Sequence, residues 1–430
     1  MANLWHQLRP YLITLFYIVS SNVFAAPDII LTYPSCHPNC DSEQQKALLK
    51  EGLTEKIVVD AINSAQREIR FSIYTFSRGP IYQALIDAVA DRGVVVKGLV
   101  DRAQIENLKP FCDDTGCRLE SLISDEDFTA RPLRDRISRL KDLDIFKKAT
   151  LVGKLHLLSY KNEDKIRIKV GAGQSRLMHN KFLIIDDKLV QTSSGNWSST
   201  AMSVNFENII QFSAPTHQTE VSAFTCAFDA IWGEDSALLG ARLQSCALPG
   251  KVFFTPATQG EDAITRTILT QIKNAQESID ISMHHLAHPE VYGALTEAGG
   301  RGVAIRLLFD DDDCLNKTPP ALKTLTHVPG SKVTVHYMPT NCSINQLSHN
   351  RFGIFDQRTV INGSANWSKA GLKSNYESFV QFDDPSNVEI FRSYYTRLFE
   401  ASVPKNACGC DLQLEDCRKR YCRGEFSPKF

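Results

Sequence analysis

Net charge is the first thing this 430-residue sequence lacks: 48 lysines and arginines face 49 aspartates and glutamates, leaving a formal charge of -1. That balance excludes a global field drawing in polyanions, although a local basic groove can exist on a neutral protein. Long apolar runs are lacking too, since nothing after Ala26 is apolar enough to span a bilayer. Composition shows no sign of disorder either: 43% hydrophobic and 23% charged residues suit a globular protein with a substantial core. Zinc-ligand spacing is absent from the cysteine-rich tail, where Cys408, Cys410, Cys417 and Cys422 form Cys-x-Cys and Cys-x4-Cys with no histidine nearby. A disulfide-stapled cap is expected there instead.

What is present begins with a lone Arg9, an apolar run from Tyr11 to Val19, and the residues Val23-Phe24-Ala25-Ala26. This reads as a secretory signal peptide cut after Ala25, which puts Val23 and Ala25 where small residues are needed and keeps Pro27 away from the cut. An uncleaved anchor is the alternative, but the run is short for a span. All twelve cysteines follow this segment, several in close pairs such as Cys36 with Cys40 and Cys112 with Cys117. An even count in an exported chain implies disulfides, with connectivity left open. The expected location is secreted or periplasmic.

The chain is written twice. Ala65–Ile73 is matched by Ala275–Met283, Tyr82-x-Ala84-Leu85 by Tyr292-x-Ala294-Leu295, and Arg92-Gly93-Val94 by Arg301-Gly302-Val303. Further on, His179-Asn180-Lys181-Phe182 pairs with His349-Asn350-Arg351-Phe352, and Asn196-Trp197-Ser198 with Asn366-Trp367-Ser368. The same order in both halves indicates a duplication. The interval between matched residues falls along the chain, so the first half holds about 39 extra residues between Asp101 and His179, enough for a functional insertion.

Each half reads as helix, apolar strand, helix, apolar strand: Lys56 to Gln66, Ile69 to Tyr74, Ile81 to Asp91 and Val94 to Val100 in the first. Alternating units imply layered α/β lobes. Lys181 to Asp186 is then a buried strand, with Lys188 to Ser193 as its hairpin partner. Within the insertion, Leu133, Ile137, Leu140 and Leu143 recur at helical spacing beside Arg131, Arg134, Arg136, Arg139 and Lys141. The expected helix packs its apolar stripe on the lobe and solvates its charges; a lid or interfacial element is the second reading.

Each half also offers a histidine, a cation two residues on, an aspartate five further, then an asparagine and a glutamate. The first set is His179, Lys181, Asp186, Asn196 and Glu207; the second is His349, Arg351, Asp356, Asn366 and Glu377. Strand residues two apart face one side, so each histidine projects with its cation. Imidazole can act as nucleophile or acid near neutral pH, while a cation and an amide can hold a phosphoryl oxyanion. One such set is weak evidence. Two in register are hard to explain by packing.

The constellation resembles the phospholipase D superfamily, whose signature is His-x-Lys-x4-Asp followed by Gly-Ser-x-Asn. His179 to Asp186 matches the first element, Gly363-Ser364-Ala365-Asn366 the second, and Ser194-Gly195-Asn196 a shortened version of it. The resemblance spans about Ile29 to Phe399. It implies an α/β fold of two similar lobes of mixed β-sheet flanked by helices, related by a pseudo-twofold axis, with both motifs in one metal-free, cofactor-free site. It also implies His179 as nucleophile through a phosphohistidine, and His349 as acid and then base. Lys181, Arg351, Asn196 and Asn366 would hold the nonbridging oxygens, Glu207 and Glu377 would orient the imidazoles, and Asp186 and Asp356 would be supporting residues. Arg351 departs from the family's lysine, trading a compact ammonium for a planar fork.

The organisation expected is a signal peptide at 1–25, a first repeat at 26–248 with its insertion around 103–165, a second repeat at 249–403, and a cysteine-rich tail at 404–430. The function expected is hydrolysis of a phospholipid headgroup ester at a membrane surface by a monomeric exported enzyme, with transfer to alcohols as a further outcome. A secreted nuclease acting on nucleic acid is the alternative, and a noncatalytic phosphate-binding protein the third reading. Asp310 to Asp313 could bind calcium, but an exposed acidic loop is the expectation. His284, His285 and His288 are expected to line the pocket rather than to hold a metal.

Overall fold

The computed structural model describes residues 26–34, 52, 54–108, 112–113, 116–117, 131–159, 165–171, 176–233, 237–258, 262–311, 320–340 and 345–405. The expected signal peptide, the Cys36 and Cys40 pair and the cysteine-rich tail lie outside the described residues. The strands are β1 (Asp28–Leu31), β2 (Glu68–Ile73), β3 (Val95–Val100), β4 (Cys112–Asp113), β5 (Gly116–Cys117), β6 (Ile166–Val170), β7 (Lys181–Ile185), β8 (Leu189–Ser193) and β9 (Asn208–Ser213) in the first half. The second half has β10 (Val252–Thr255), β11 (Ser278–Met283), β12 (Ala304–Asp310), β13 (Lys332–Met338), β14 (Arg351–Phe355), β15 (Thr359–Gly363), β16 (Glu377–Phe382) and β17 (Val403–Pro404). The long helices are α1 (Glu55–Ser64), α2 (Gly79–Arg92), α3 (Gln218–Trp232), α4 (Ala263–Asn274), α5 (Pro289–Gly300) and α6 (Pro385–Glu400).

Two sheets share one plan. The first runs β1-β9-β8-β7-β2-β3-β6 and the second β10-β16-β15-β14-β11-β12-β13, with β17 added at its edge. In each, the two strands beyond the centre pair in parallel after helical crossovers, and the remaining pairs are antiparallel. The central strands β7 and β14 are buried at every residue. Helices cover both faces there, which is why Phe182, Leu183, Ile184 and Ile185 run without alternation. α1 and α2 cover the outer face of one sheet, α4 and α5 that of the other, and a third core cluster joins the lobes, with Phe224 and Phe228 of α3 and Phe391 and Tyr395 of α6 among side chains from both sheets.

Local chemistry sets the element ends. α2 stops at Gly93, whose φ of +68° is the left-handed cap that glycine adopts at least cost. The β7–β8 hairpin turns on Asp186 and Asp187, and β14–β15 on Asp356 and Gln357, all at positive φ. Turns of this hand match the twist of the flanking strands.

The insertion departs from expectation in one respect. A helix forms at Leu133–Leu140 and buries Leu133 and Leu140, but it also buries Arg136, so not all its charges are solvated. Arg134 reaches Asp87 and Asp91 of α2 at 2.9 and 2.7 Å, tying the helix to the lobe. A disulfide joins Cys226 of α3 to Cys246 of the following helix, a pair sequence proximity does not suggest. Cys112 and Cys117 are register partners across the short β4–β5 ladder.

Candidate active site

Both histidines sit at the lobe interface, held there by backbone exchange between the halves. The His179 amide donates to the Tyr376 carbonyl, and the His349 amide to the Phe206 carbonyl, each at 3.0 Å. Isolated bridges pair Met178 with Tyr376 and Phe206 with Ser348. Each histidine thereby lies beside the glutamate of the opposite half. Nδ1 of His179 is 2.8 Å from Glu377 and Nδ1 of His349 is 2.7 Å from Glu207. The structure therefore regroups the two sets read from sequence: Glu207 serves His349, and Glu377 serves His179.

Toward an ionised carboxylate each Nδ1 is the donor and Nε2 is left bare for chemistry; toward a protonated carboxyl Nδ1 accepts and the ring hydrogen lies on Nε2. Each glutamate is itself fixed. Ser194 Oγ donates to Glu207 and Ser364 Oγ to Glu377, both at 2.6 Å, and the same hydroxyls accept the amides of Asn208 and Ser378. Asn205 and Asn375 donate to the other carboxylate oxygens at 3.2 and 3.4 Å. Sequence reasoning did not single out Asn205 and Asn375, although the repeated Asn-x-Glu was there to be read.

The cations are buried between these pairs. Lys181 donates to the His179 carbonyl at 2.7 Å and lies over the Tyr74 ring. Arg351 uses its whole fork: Nε donates to Asn366 Oδ1 at 3.0 Å, Nη1 to the Ser194 carbonyl at 2.7 Å, and Nη2 to His349 Nε2 at 2.5 Å. Asn196 accepts the Thr75 amide at 3.3 Å. The Asn-Trp-Ser runs divide their work: Asn196 and Asn366 accept from Thr75 and Arg351, Trp197 packs against Phe71 and Phe76, and Ser198 and Ser368 cap the short helices that follow.

Burial dominates the electrostatics. It pushes both glutamates up to about 7 against the pull of Arg351 and Lys181. Burial, then the two cations, holds both histidines well below their usual range. Lys181 is depressed by burial and then by Arg351. The resting cluster sets two neutral imidazoles beside Arg351, the depressed Lys181 and two carboxyls pushed up to about 7.

The remaining predicted residues fall into place around this centre. Asp186 accepts the amides of Gln66, Arg67 and Glu68 at 2.7–2.8 Å, and Asp356 those of Gln276, Glu277 and Ser278 at 2.8–3.0 Å. They tie each hairpin to the neighbouring strand, away from the histidines. Asp310 is not part of an exposed loop: it is fully buried and accepts the Ser348 amide at 2.5 Å, as Asp101 accepts that of Met178 at 2.9 Å. Both set the residue just before a site histidine. Asp312 and Asp313 lie outside the described residues. His284 stands against His349, whereas His288 is buried just ahead of α5.

Two α/β lobes that each lend a histidine and a cation to one shared centre define a class of phosphate-handling protein. The chain belongs to the phospholipase D-like family: a model described as cardiolipin synthase, PLD-like domain, matches residues 58–232 and 268–400, well over half of the chain. It is 26% identical over 151 residues to a mitochondrial cardiolipin hydrolase of Danio rerio, covering 35% of this chain and 63% of that one. It is 28% identical over 154 residues to a phospholipase D of Rickettsia prowazekii, covering 36% and 68%. The chain thus spans less than two thirds of the length of the Danio rerio relative. Among solved structures, a phosphatidylserine synthase of Haemophilus influenzae superposes with a TM-score of 0.58 at 11% identity, over 86% of this chain and 91% of the other. That likeness is one of fold.

Proposed function

We propose that this protein is an exported phospholipase D-type phosphodiesterase that hydrolyses the headgroup ester of phospholipids. The observation that carries the reading is the crossed pair of histidine–glutamate contacts with Lys181 and Arg351 buried between them. The relatives' names support a lipid substrate, and the Cys226–Cys246 disulfide supports export.

In the reaction, His179 Nε2 attacks phosphorus while Glu377 stabilises the charge that forms on the ring. The phosphate draws the Arg351 fork from His349, and Lys181, Arg351 and the two asparagines hold the nonbridging oxygens. Protonated Glu207 passes its proton to His349 Nδ1 as Nε2–H goes to the departing alkoxide, so the alcohol leaves neutral. Water then attacks the phosphohistidine, its proton taken by His349 and returned to Glu207, and an alcohol in place of water would give transfer. The test offers the purified protein labelled phosphatidylcholine, cardiolipin and plasmid DNA in parallel, with and without strong chelator. Turnover of lipid alone, persisting in chelator, is expected. Cleavage of DNA alone would move the assignment to a nuclease, and turnover of nothing would leave a phosphate-binding protein.

A further inference from the structure

The second lobe holds a histidine where the first holds a tyrosine. Tyr74 and His284 each follow the end of a central strand, β2 or β11, and each ring stands edge-on to a site histidine. Tyr74 meets His179 at 4.9 Å between centroids and 60°, and His284 meets His349 at 5.0 Å and 86°. The His284 amide donates to the Asn350 carbonyl at 3.0 Å, so the ring is pinned at its root. Its Nδ1 is buried with no hydrogen-bond partner among the described residues.

Burial, then His349 and Arg351, holds this imidazole well below the usual histidine range, so it is neutral and has one N–H. Orphaned buried N–H groups are rarer than under-satisfied acceptors, which places the hydrogen on Nε2 and the bare lone pair on Nδ1. The residue is partly exposed while Nδ1 is enclosed, which leaves Nε2 as the ring nitrogen open to a ligand. Beside it, His349 Nε2 accepts from Arg351 and has no hydrogen of its own to offer in this state.

We propose that His284 is a substrate-contacting donor: its Nε2–H hydrogen-bonds to an oxygen of the bound phosphodiester on the His349 side and steadies the negative charge that builds there as the ester bond breaks. This rests on the phosphodiesterase reading above. His284 gives up no proton; bond making and proton transfer stay with His179, His349 and Glu207.

The test compares wild type, His284→Phe and His284→Tyr on a phosphodiester with a simple alkyl alcohol and on its p-nitrophenyl counterpart. Phe keeps a ring against His349 without a donor. Tyr restores a hydroxyl, and Tyr74 shows that such a ring fits beside a site histidine. His284→Phe is expected to lower kcat/KM on the alkyl ester about 10- to 100-fold, the scale of one hydrogen bond to a charged group. The loss on the p-nitrophenyl ester should be smaller, because that leaving group needs less help, and His284→Tyr should recover most of the activity. Equal losses in Phe and Tyr, or no loss in Phe, overturn the donor role while wild-type turnover leaves the phosphodiesterase reading standing. Absence of wild-type turnover on any phosphodiester overturns that reading and this inference together. Should Phe fail to fold, His284→Gln against His284→Met makes the same comparison, an amide donor against none.

Discussion

Arg351 is the side chain whose chemistry most exceeds its sequence reading. Sequence presents it as a lysine substitute; in the fold it bridges Asn366, the Ser194 carbonyl and His349 Nε2 at once. A lysine reaches one of these directions at a time, so Arg351→Lys frees His349 and should keep measurable turnover. Arg351→Ala leaves two buried carboxyls facing one cation and should lose turnover about a hundred- to a thousandfold, the scale of deleting an oxyanion donor. Steady-state rates on whichever phosphodiester the wild type turns over check both, and a lysine variant as dead as the alanine would show that the fork itself is needed.

The two glutamates make a second prediction at this scale. In the proposed reaction Glu377 is ionised to hold His179 and Glu207 is protonated to supply the leaving group, and burial pushes both up to about 7. Activity should therefore fall on both sides of neutrality, the acid limb from Glu377 and the alkaline limb from Glu207. A kcat/KM profile rising steadily with pH would remove Glu207 from proton supply.

At the scale of elements, the strands and helices of both halves were legible because the apolar runs are bounded by turn chemistry. Lys181 to Asp186 and its hairpin partner read correctly, as β7 and β8, since Asp-Asp between Ile and Leu runs marks a tight turn. What sequence did not reveal is that the motif aspartates clamp those turns to the next strand. Asp186→Ala strips three amides of their acceptor and should cost about 1–3 kcal/mol of stability. Denaturant titration checks this, with activity per folded molecule retained. The helix at Leu133–Leu140 shows the limit of periodicity: spacing placed it, but spacing alone does not tell that Arg136 is enclosed or that Arg134 is committed to α2.

On the scale of the whole molecule, the crossing of partners is a property of neither half. Each histidine is oriented by a carboxyl from the other lobe, so the two glutamates should fail differently. Glu377→Gln should prevent phosphohistidine formation on His179 even from a p-nitrophenyl ester. Glu207→Gln should still form the adduct from that ester and stall afterwards, because an activated leaving group needs no acid but water attack needs the base. Acid-labile, base-stable label in a quench experiment distinguishes them, and identical behaviour of the two variants would contradict the crossing. His179→Ala should show no adduct.

By itself the sequence determined the α/β class, the two-part plan and the residue types of the centre. Local spacing on strands encodes which side chains project together, and repetition in register exposes those that packing does not explain. Only the tertiary structure decided who partners whom. His179 and Glu377 are 198 residues apart, His349 and Glu207 142, and no local period reports such distances. The pairing arises where the two lobes exchange backbone hydrogen bonds beside each histidine, and the low dielectric there, which moves every ionisable group in the centre, comes from burial between two sheets that neither half has alone.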